Sequence, residues 1–113
     1  MEFSAKNVTR PHGAMHHSAP SFKANFTVPK EAASQFVTVR VPFSTFSVDW
    51  SDYTGSCDSK DPGGYQHVCC STAHPEVCPT AHHLSSITML GLWAEGVEGS
   101  FELDVKQIAA GPL

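Results

Sequence analysis

The residues best suited to chemistry lie in one stretch of the chain, which contains all four cysteines and several histidines. The cysteines are Cys57, Cys69, Cys70 and Cys78, and the histidines among and after them are His67, His74, His82 and His83. Thiols form disulfides, thiolate and imidazole groups bind zinc, and a thiolate beside an imidazole is a nucleophile. Three interpretations of this stretch therefore compete, namely two disulfides, a metal site and free thiols.

Two disulfides are the favoured interpretation of the cysteines. An even number of cysteines confined to one long loop is typical of a disulfide framework. Adjacent Cys69 and Cys70 do not easily bond to each other, so each is expected to reach a different partner. Two pairings stay open, 57–69 with 70–78 or 57–70 with 69–78. Structural zinc sites usually contain paired cysteines a few residues apart, which this sequence lacks, so we predict no metal site.

Motifs of enzymes are missing from the sequence. It contains no glycine-flanked serine, no phosphate-binding loop and no His-Glu-x-x-His pattern. Glu95 and Glu98 could lie ~5–10 Å apart, as the carboxylates of a glycosidase do, but nothing marks a cleft around them. We therefore predict a protein that is not an enzyme and needs no cofactor.

Two tryptophans are candidate ligand-binding residues. Trp93 ends an apolar run beside the turn that holds Glu95 and Glu98, and Trp50 lies in the loop after Phe46. A tryptophan at the end of a strand offers an apolar face and an N–H group to a sugar ring. The alternative, that each ring packs on the core, is favoured. The candidate ligand site therefore consists of Trp93, Glu95, Glu98 and Trp50.

The stretches that must position these groups are predicted to be β-strands. Apolar and polar residues alternate over 21–28 and 101–106, which is the period of a half-buried strand. Residues 36–41 are rich in the β-branched side chains that pleated surfaces favour. Residues 87–93 are apolar on both faces, as a central strand covered on both sides would be. The glycine-containing turn 95–99 is expected to join this strand to the last one.

The expected fold class is therefore all-β, an antiparallel β-sandwich with at least four strands and no amphipathic helix. Residues 1–20 are expected to form an irregular N-terminal segment, and residues 21–113 the sandwich domain. Within that domain, residues 49–86 read as a long loop insertion that the cysteines tie down.

Composition narrows the class of protein further. A chain of 113 residues with 41% hydrophobic residues forms at most one globular domain. A net charge of −4 with scattered Lys and Arg argues against binding to nucleic acid. No apolar run approaches the ~20 residues that cross a bilayer, so no membrane span is predicted. The first residues lack the apolar core of a signal peptide. We expect either a cytosolic protein or a chain without its true N-terminus, and favour the second.

Two segments match the sequence pattern for N-glycosylation, Asn7-Val8-Thr9 and Asn25-Phe26-Thr27. The pattern is short and occurs often by chance, so its meaning depends on the compartment of the protein. The second segment lies inside a predicted strand, which is a poorer acceptor than a loop.

Three segments carry a resemblance to a known family. The segment Val39-Arg40-Val41-Pro42-Phe43-Ser44-Thr45-Phe46 resembles the Pro-Phe segment of the complex I intermediate-associated protein 30 family. Residues 87–108, with Leu90-Gly91-Leu92, Glu95-Gly96 and Glu98-Gly99, resemble the closing hairpin of that family. Residues 22–28 resemble the strand that precedes its Pro-Phe segment. The resemblance covers about residues 20–48 and 87–110.

This resemblance implies a galactose-binding-domain-like jelly roll, of which the chain would carry the C-terminal half. A half sandwich would expose an apolar sheet face, which is a surface for a partner. The resemblance also implies a non-enzymatic factor that assists assembly of mitochondrial NADH dehydrogenase, with a complex I subunit or assembly intermediate as its protein partner. The alternative is a carbohydrate-binding β-sandwich module of a secreted or surface protein.

The compartment depends on which of these features is given more weight. The family resemblance implies a mitochondrial protein. The cysteine-containing loop is not part of the family pattern, and disulfides in it would favour a secretory or extracellular protein.

Overall fold

A computed structural model of the chain describes residues 1–11, 20–94, 99–100 and 102–111. The strands are β1 (Glu2–Ala5), β2 (Phe22–Lys23) and β3 (Ile87–Gly91), and the helix is α1 (Ala81–Leu84). Three short 3-10 helices lie at Lys30–Ala33, Phe43–Thr45 and Pro75–Val77. Turns and coil make up most of the rest of the described chain.

The three described strands form one antiparallel sheet in the order β2-β1-β3. Phe3 of β1 pairs with Phe22 on one side and with Leu90 on the other. The register shifts between Ser4 and Ala5, where the pairing of β1 with β3 is irregular. Strand β1 therefore holds together two segments that are far apart in the sequence.

The core is a small aromatic cluster on one side of this sheet. Its buried members are Phe3, Phe22, Ala24, Phe46, Val48 and Val77. The ring of Phe3 lies 5.2 Å from the ring of Phe22 and 5.1 Å from that of Phe46, centroid to centroid. Burying a phenylalanine side chain contributes roughly 1.5–3 kcal/mol. These three rings therefore fix how the two N-terminal strands pack against the segment that leads into the cysteine loop.

The predicted β-sandwich, and with it the jelly roll, is wrong for the described residues. They contain three strands in one small sheet, which is too few for two packed sheets. The strand predicted over 21–28 is reduced to Phe22–Lys23, and residues 36–41 form coil. Preference for β-structure reflects packing against neighbouring strands, not an intrinsic property of the backbone. The alternation in these segments finds no such neighbour among the described residues.

The ends of the chain also differ from expectation. Residues 1–20, predicted to be irregular, contribute the central strand β1. A strand over residues 87–91 is confirmed, but β3 lies at an edge of the described sheet and its apolar side chains are exposed. Residues 102–108 form no strand, and the predicted turn residues 95–98 lie outside the described part of the chain.

Candidate functional site

The four cysteines form two disulfides, so the predicted disulfide bonds are confirmed. Cys57 bonds to Cys69, and Cys70 bonds to Cys78, with Cα atoms 4.9 Å and 4.8 Å apart. This is the first of the two pairings that the sequence left open. In the chain-entropy account each short closed loop contributes roughly 2–3 kcal/mol to stability. Because Cys69 and Cys70 are adjacent, the two bridges attach Cys57 and Cys78 to neighbouring positions in the chain.

A buried polar cluster lies inside the loop that the Cys57–Cys69 bridge closes and just before it. Nδ1 of His67 lies 2.6 Å from Oδ1 of Asp49, and Nε2 lies 2.8 Å from Oδ1 of Asp61. The imidazole is 1% exposed, and Asp49 is buried as well. Each ring nitrogen of His67 therefore faces one carboxyl oxygen, and the imidazole lies between two aspartates.

Hydrogen bonds from the loop backbone and a hydroxyl complete this cluster. Ser51 Oγ donates to Oδ1 of Asp61 at 2.6 Å, and the backbone N–H of Val68 donates to Oδ2 of Asp49 at 3.0 Å. Ser51 Oγ in turn accepts from the backbone N–H of Tyr53 at 3.0 Å. We call Asp49, Ser51, Asp61 and His67 the Asp-His-Asp cluster. It joins the segment just before Cys57 to the loop that the Cys57–Cys69 bridge closes.

The electrostatics of the cluster follow from these contacts. The hydroxyl of Ser51 is the largest cause that lowers the pKa of Asp61, and His67 lowers it further, while burial opposes both. Burial and the charges of Asp49 and Asp61 raise the pKa of Tyr65, whose ring meets the imidazole of His67 edge-on at 4.9 Å. Asp61 is therefore held in its charged form, and Tyr65 in its neutral form.

This arrangement is structural and does not form a catalytic triad. Ser51 donates its hydroxyl hydrogen to Asp61, not to the imidazole of His67. Ser51 and His67 are both buried, so neither side chain is open to a substrate. A nucleophilic serine needs its hydroxyl bonded to the base and accessible. No short motif in the sequence marks Asp49 or Asp61, so their meeting with His67 is not predictable from the sequence.

The two candidate tryptophans are brought together but are placed differently. Trp50 is 2% exposed, and its indole N–H donates to the carbonyl of Ser21 at 2.9 Å. Trp93 is 45% exposed and meets Trp50 edge-on at 5.9 Å between ring centroids. Nζ of Lys23 lies 5.1 Å from the centroid of each ring. Trp50 is thus a core residue, and Trp93 alone of the pair reaches the surface; Glu95 and Glu98 lie outside the described residues.

A small pocket lies beside Trp50. Its volume is about 230 Å³, and its walls include Lys23, Asn25, Asp58 and the Cys57–Cys69 bridge. Sites for drug-sized ligands usually have volumes of roughly 300–1,000 Å³. The pocket is therefore smaller than such a site.

A much larger apolar cleft lies against the aromatic core, whose Phe3 and Phe46 are part of its lining. Its volume is about 1620 Å³, and it is lined by residues from the segments 26–44, 87–92 and 102–111. We call it the apolar cleft. The large apolar residues that line the cleft and are exposed to solvent are Val28, Phe36, Val39, Ile87, Leu90, Leu103, Val105 and Ile108. Nζ of Lys106 lies 5.8 Å from the ring centroid of Phe36, which connects two of the three segments. The cleft exceeds the size of a small-molecule site.

Comparison with known proteins adds no relative. No protein-family model, no curated protein and no solved structure matches this chain. Within the described residues, no three His, Cys, Asp or Glu side chains are grouped so that they could hold a metal ion. None of the helices in the described ranges is long and apolar enough to cross a membrane.

Proposed function

We propose that this chain is a non-enzymatic binding domain that associates with a protein partner through the apolar cleft. The observation that carries the proposal is the exposure of large apolar side chains on all three segments that line the cleft. Soluble monomers rarely leave contiguous apolar patches larger than a few hundred Å² open to water. A polypeptide that covers these side chains would remove that cost.

The partner that fits best is an extended segment with apolar side chains at alternate positions. Among the described residues, β3 pairs on one side only, with β1, and its Ile87 and Leu90 line the cleft. An edge strand can accept another strand by main-chain hydrogen bonds, while pockets beside it select the side chains. Phe36, which is 64% exposed, supplies an aromatic anchor of the kind enriched in protein interfaces.

The family resemblance and the disulfides support different partners. The resemblance to complex I intermediate-associated protein 30 implies an assembly factor for NADH dehydrogenase, which acts by protein association. The two disulfides are compatible with a secreted or extracellular protein. Because reducing compartments keep thiols reduced, we propose a secretory or extracellular location. Association with a protein then remains the proposed mode of action, and a complex I partner becomes the less favoured choice.

Carbohydrate binding is the second candidate function, and the exposure of Trp93 is the observation that favours it. The ring of Trp93 has a cation, Lys23, at 5.1 Å and meets the ring of Trp50 edge-on. Trp50 gives this candidate little support because its ring is buried. Screening on a glycan array with Trp93→Ala as the comparison tests it directly.

The experiment that tests the first proposal measures binding of labelled synthetic peptides with alternating apolar and polar residues. Phe36→Asp and Val105→Asp place a charge on two different walls of the cleft. Tyr53→Asp is the matched control, because Tyr53 is also a large exposed side chain but lies outside the lining. Fluorescence polarisation should show binding by the parent chain and by Tyr53→Asp, and at least tenfold weaker binding by the other two, about 1.4 kcal/mol.

Two results would count against this proposal. Either none of the peptides binds the parent chain, or the cleft variants and the control lose binding equally. Circular dichroism and a non-reducing gel must show that all variants keep their secondary structure and both disulfides. Without that check, a loss of binding would report unfolding instead of a lost surface.

A further inference from the structure

One of the two sequence patterns for N-glycosylation lies in a protruding turn. Strand β1 ends at Ala5, and the N–H of Lys6 still donates to the carbonyl of Ser86 at 3.2 Å. The next residue, Asn7, has a φ of 60°, so the chain leaves the sheet there in the left-handed conformation. Asparagine tolerates this conformation better than most residues because its short side chain can bond locally. The turn is therefore anchored at its base by this hydrogen bond, and Asn7 follows directly as an exposed residue.

Both functional groups of this pattern are open to solvent. Asn7 and Thr9 are exposed. Within the described part of the chain, the amide nitrogen of Asn7 lies 3.4 Å from Nε2 of His82, and that contact is itself at the surface. A contact of this length on the surface contributes little, so it does not hold the amide in place. An enzyme that modifies this amide has access to it.

The second pattern presents a different environment, although Asn25 and Thr27 are also exposed. The amide of Asn25 donates to Oγ of Ser56 at 3.0 Å, and Ser56 is next to the Cys57–Cys69 bridge. Asn25 also lines the small pocket beside Trp50. The amide of Asn25 is thus hydrogen-bonded to the disulfide-bonded loop. The fold therefore favours Asn7 over Asn25 as an acceptor.

We propose that Asn7 is an N-glycan acceptor and that Asn25 is not. The donor is a lipid-linked oligosaccharyl pyrophosphate of the secretory pathway. The amide nitrogen of Asn7 forms a bond to the anomeric carbon, and the bond from that carbon to the pyrophosphate oxygen breaks. The lipid pyrophosphate leaves with the bonding electrons, and a base of the transferase takes the amide hydrogen as a proton. Nothing is oxidised or reduced.

This inference rests on the proposed secretory location but not on the apolar cleft. The disulfides are the observation that ties it to that location, because the compartment that forms them also carries out N-glycosylation. Failure of peptide binding at the cleft would leave it standing, and absence of a glycan would not affect the cleft.

The test is expression of the whole chain behind a cleavable secretion signal in eukaryotic cells. Intact mass is measured before and after treatment with peptide N-glycosidase, on both the secreted and the cell-retained protein. Asn7→Gln removes the acceptor, and Thr9→Val removes the recognition hydroxyl while leaving Asn7 in place. The matched controls at the second pattern are Asn25→Gln and Thr27→Val.

We expect the parent chain to carry one glycan that the enzyme removes. Asn7→Gln and Thr9→Val should both lose it, and the two controls should keep it. Peptide mass spectrometry should locate the aspartate that the enzyme leaves behind at the position of Asn7. An unmodified chain, a glycan on Asn25 alone, or two glycans would each overturn the proposal. Measuring the mass of the cell-retained protein as well gives a result even if a variant is secreted poorly.

Discussion

His67 and Asp49 face each other inside the cysteine loop, with Nδ1 and Oδ1 2.6 Å apart and both side chains buried. Charges removed from water in this way are costly unless each has a partner. Asp61 on the far side of the ring and the N–H of Val68 on the carboxylate supply those partners. The pair therefore contributes to one defined loop conformation, and its loss should be seen in stability, not in a reaction.

Replacing His67 with alanine should strongly destabilise the protein. Removing the imidazole leaves the buried carboxyl group of Asp49 without its side-chain partner, at a cost of roughly 3–5 kcal/mol. The free energy of unfolding, measured in urea with the disulfides intact, reports the change. His74→Ala is the control, because His74 forms an exposed pair with Glu76 at 3.4 Å and should change stability by less than about 1 kcal/mol. Equal effects at the two histidines would contradict the assignment of His67 to a buried cluster.

Stability should fall in acid through Asp61. Its pKa is lowered in the folded protein, first by the hydroxyl of Ser51 and then by His67. A carboxyl group whose pKa is lower when folded stabilises the protein at pH values above its ordinary pKa. That contribution is lost as the pH falls through the lowered value. The stability difference between the parent chain and Asp61→Asn, followed by thermal unfolding from neutral pH into acid, should therefore shrink.

The hydroxyl of Ser51 allows a further test of the acid dependence of stability. Ser51→Ala removes the largest cause of the lowered pKa of Asp61, so it should reduce the same acid-dependent difference. Asp58→Asn changes another acid of the loop that has no part in the cluster and serves as the comparison. If Ser51→Ala left the acid dependence unchanged, the hydrogen bond between Ser51 and Asp61 would not be its source.

Short-range patterns in the sequence predicted some of this structure correctly. The apolar run that contains β3 was strong enough to be recognised, and the cysteine spacing led to two disulfides that exclude the Cys69–Cys70 pair. Both signals depend on neighbours along the chain. The choice between the two remaining pairings could not be made from such signals, because it depends on which sulfur atoms the folded loop brings together.

The features that the sequence did not predict all depend on contacts between distant residues. Strand β1 has four residues, which is too short for alternation to be recognised, and it forms only because segments around Phe22 and Leu90 lie on either side of it. Residues 36–41 alternate well but meet no neighbouring strand in the described chain. Asp49, Asp61 and His67 belong to no short motif, so their meeting is a consequence of the folded loop.

The disulfide pairing should be recovered by peptide mapping. Digestion without reduction should yield one peptide pair joined through Cys57 and Cys69 and another joined through Cys70 and Cys78. Because Cys69 and Cys70 are adjacent, the map requires fragmentation between them. A link between Cys57 and Cys70 would contradict the structure. Replacing Cys57 and Cys69 together by serine should lower the free energy of unfolding by roughly 2–3 kcal/mol, by the chain-entropy account.

Substitution of the two tryptophans should separate their roles. Trp50→Phe keeps an aromatic ring in the core but removes the N–H that donates to the carbonyl of Ser21, which leaves that carbonyl without this donor in a buried position. Such a loss costs roughly 1–3 kcal/mol, so the urea midpoint should fall clearly. Trp93→Phe, at a half-exposed ring, should change it by less, because no indole hydrogen bond to a described residue is lost. Equal destabilisation by the two substitutions would mean that Trp93 belongs to the core as fully as Trp50, and that neither ring is free to meet a ligand.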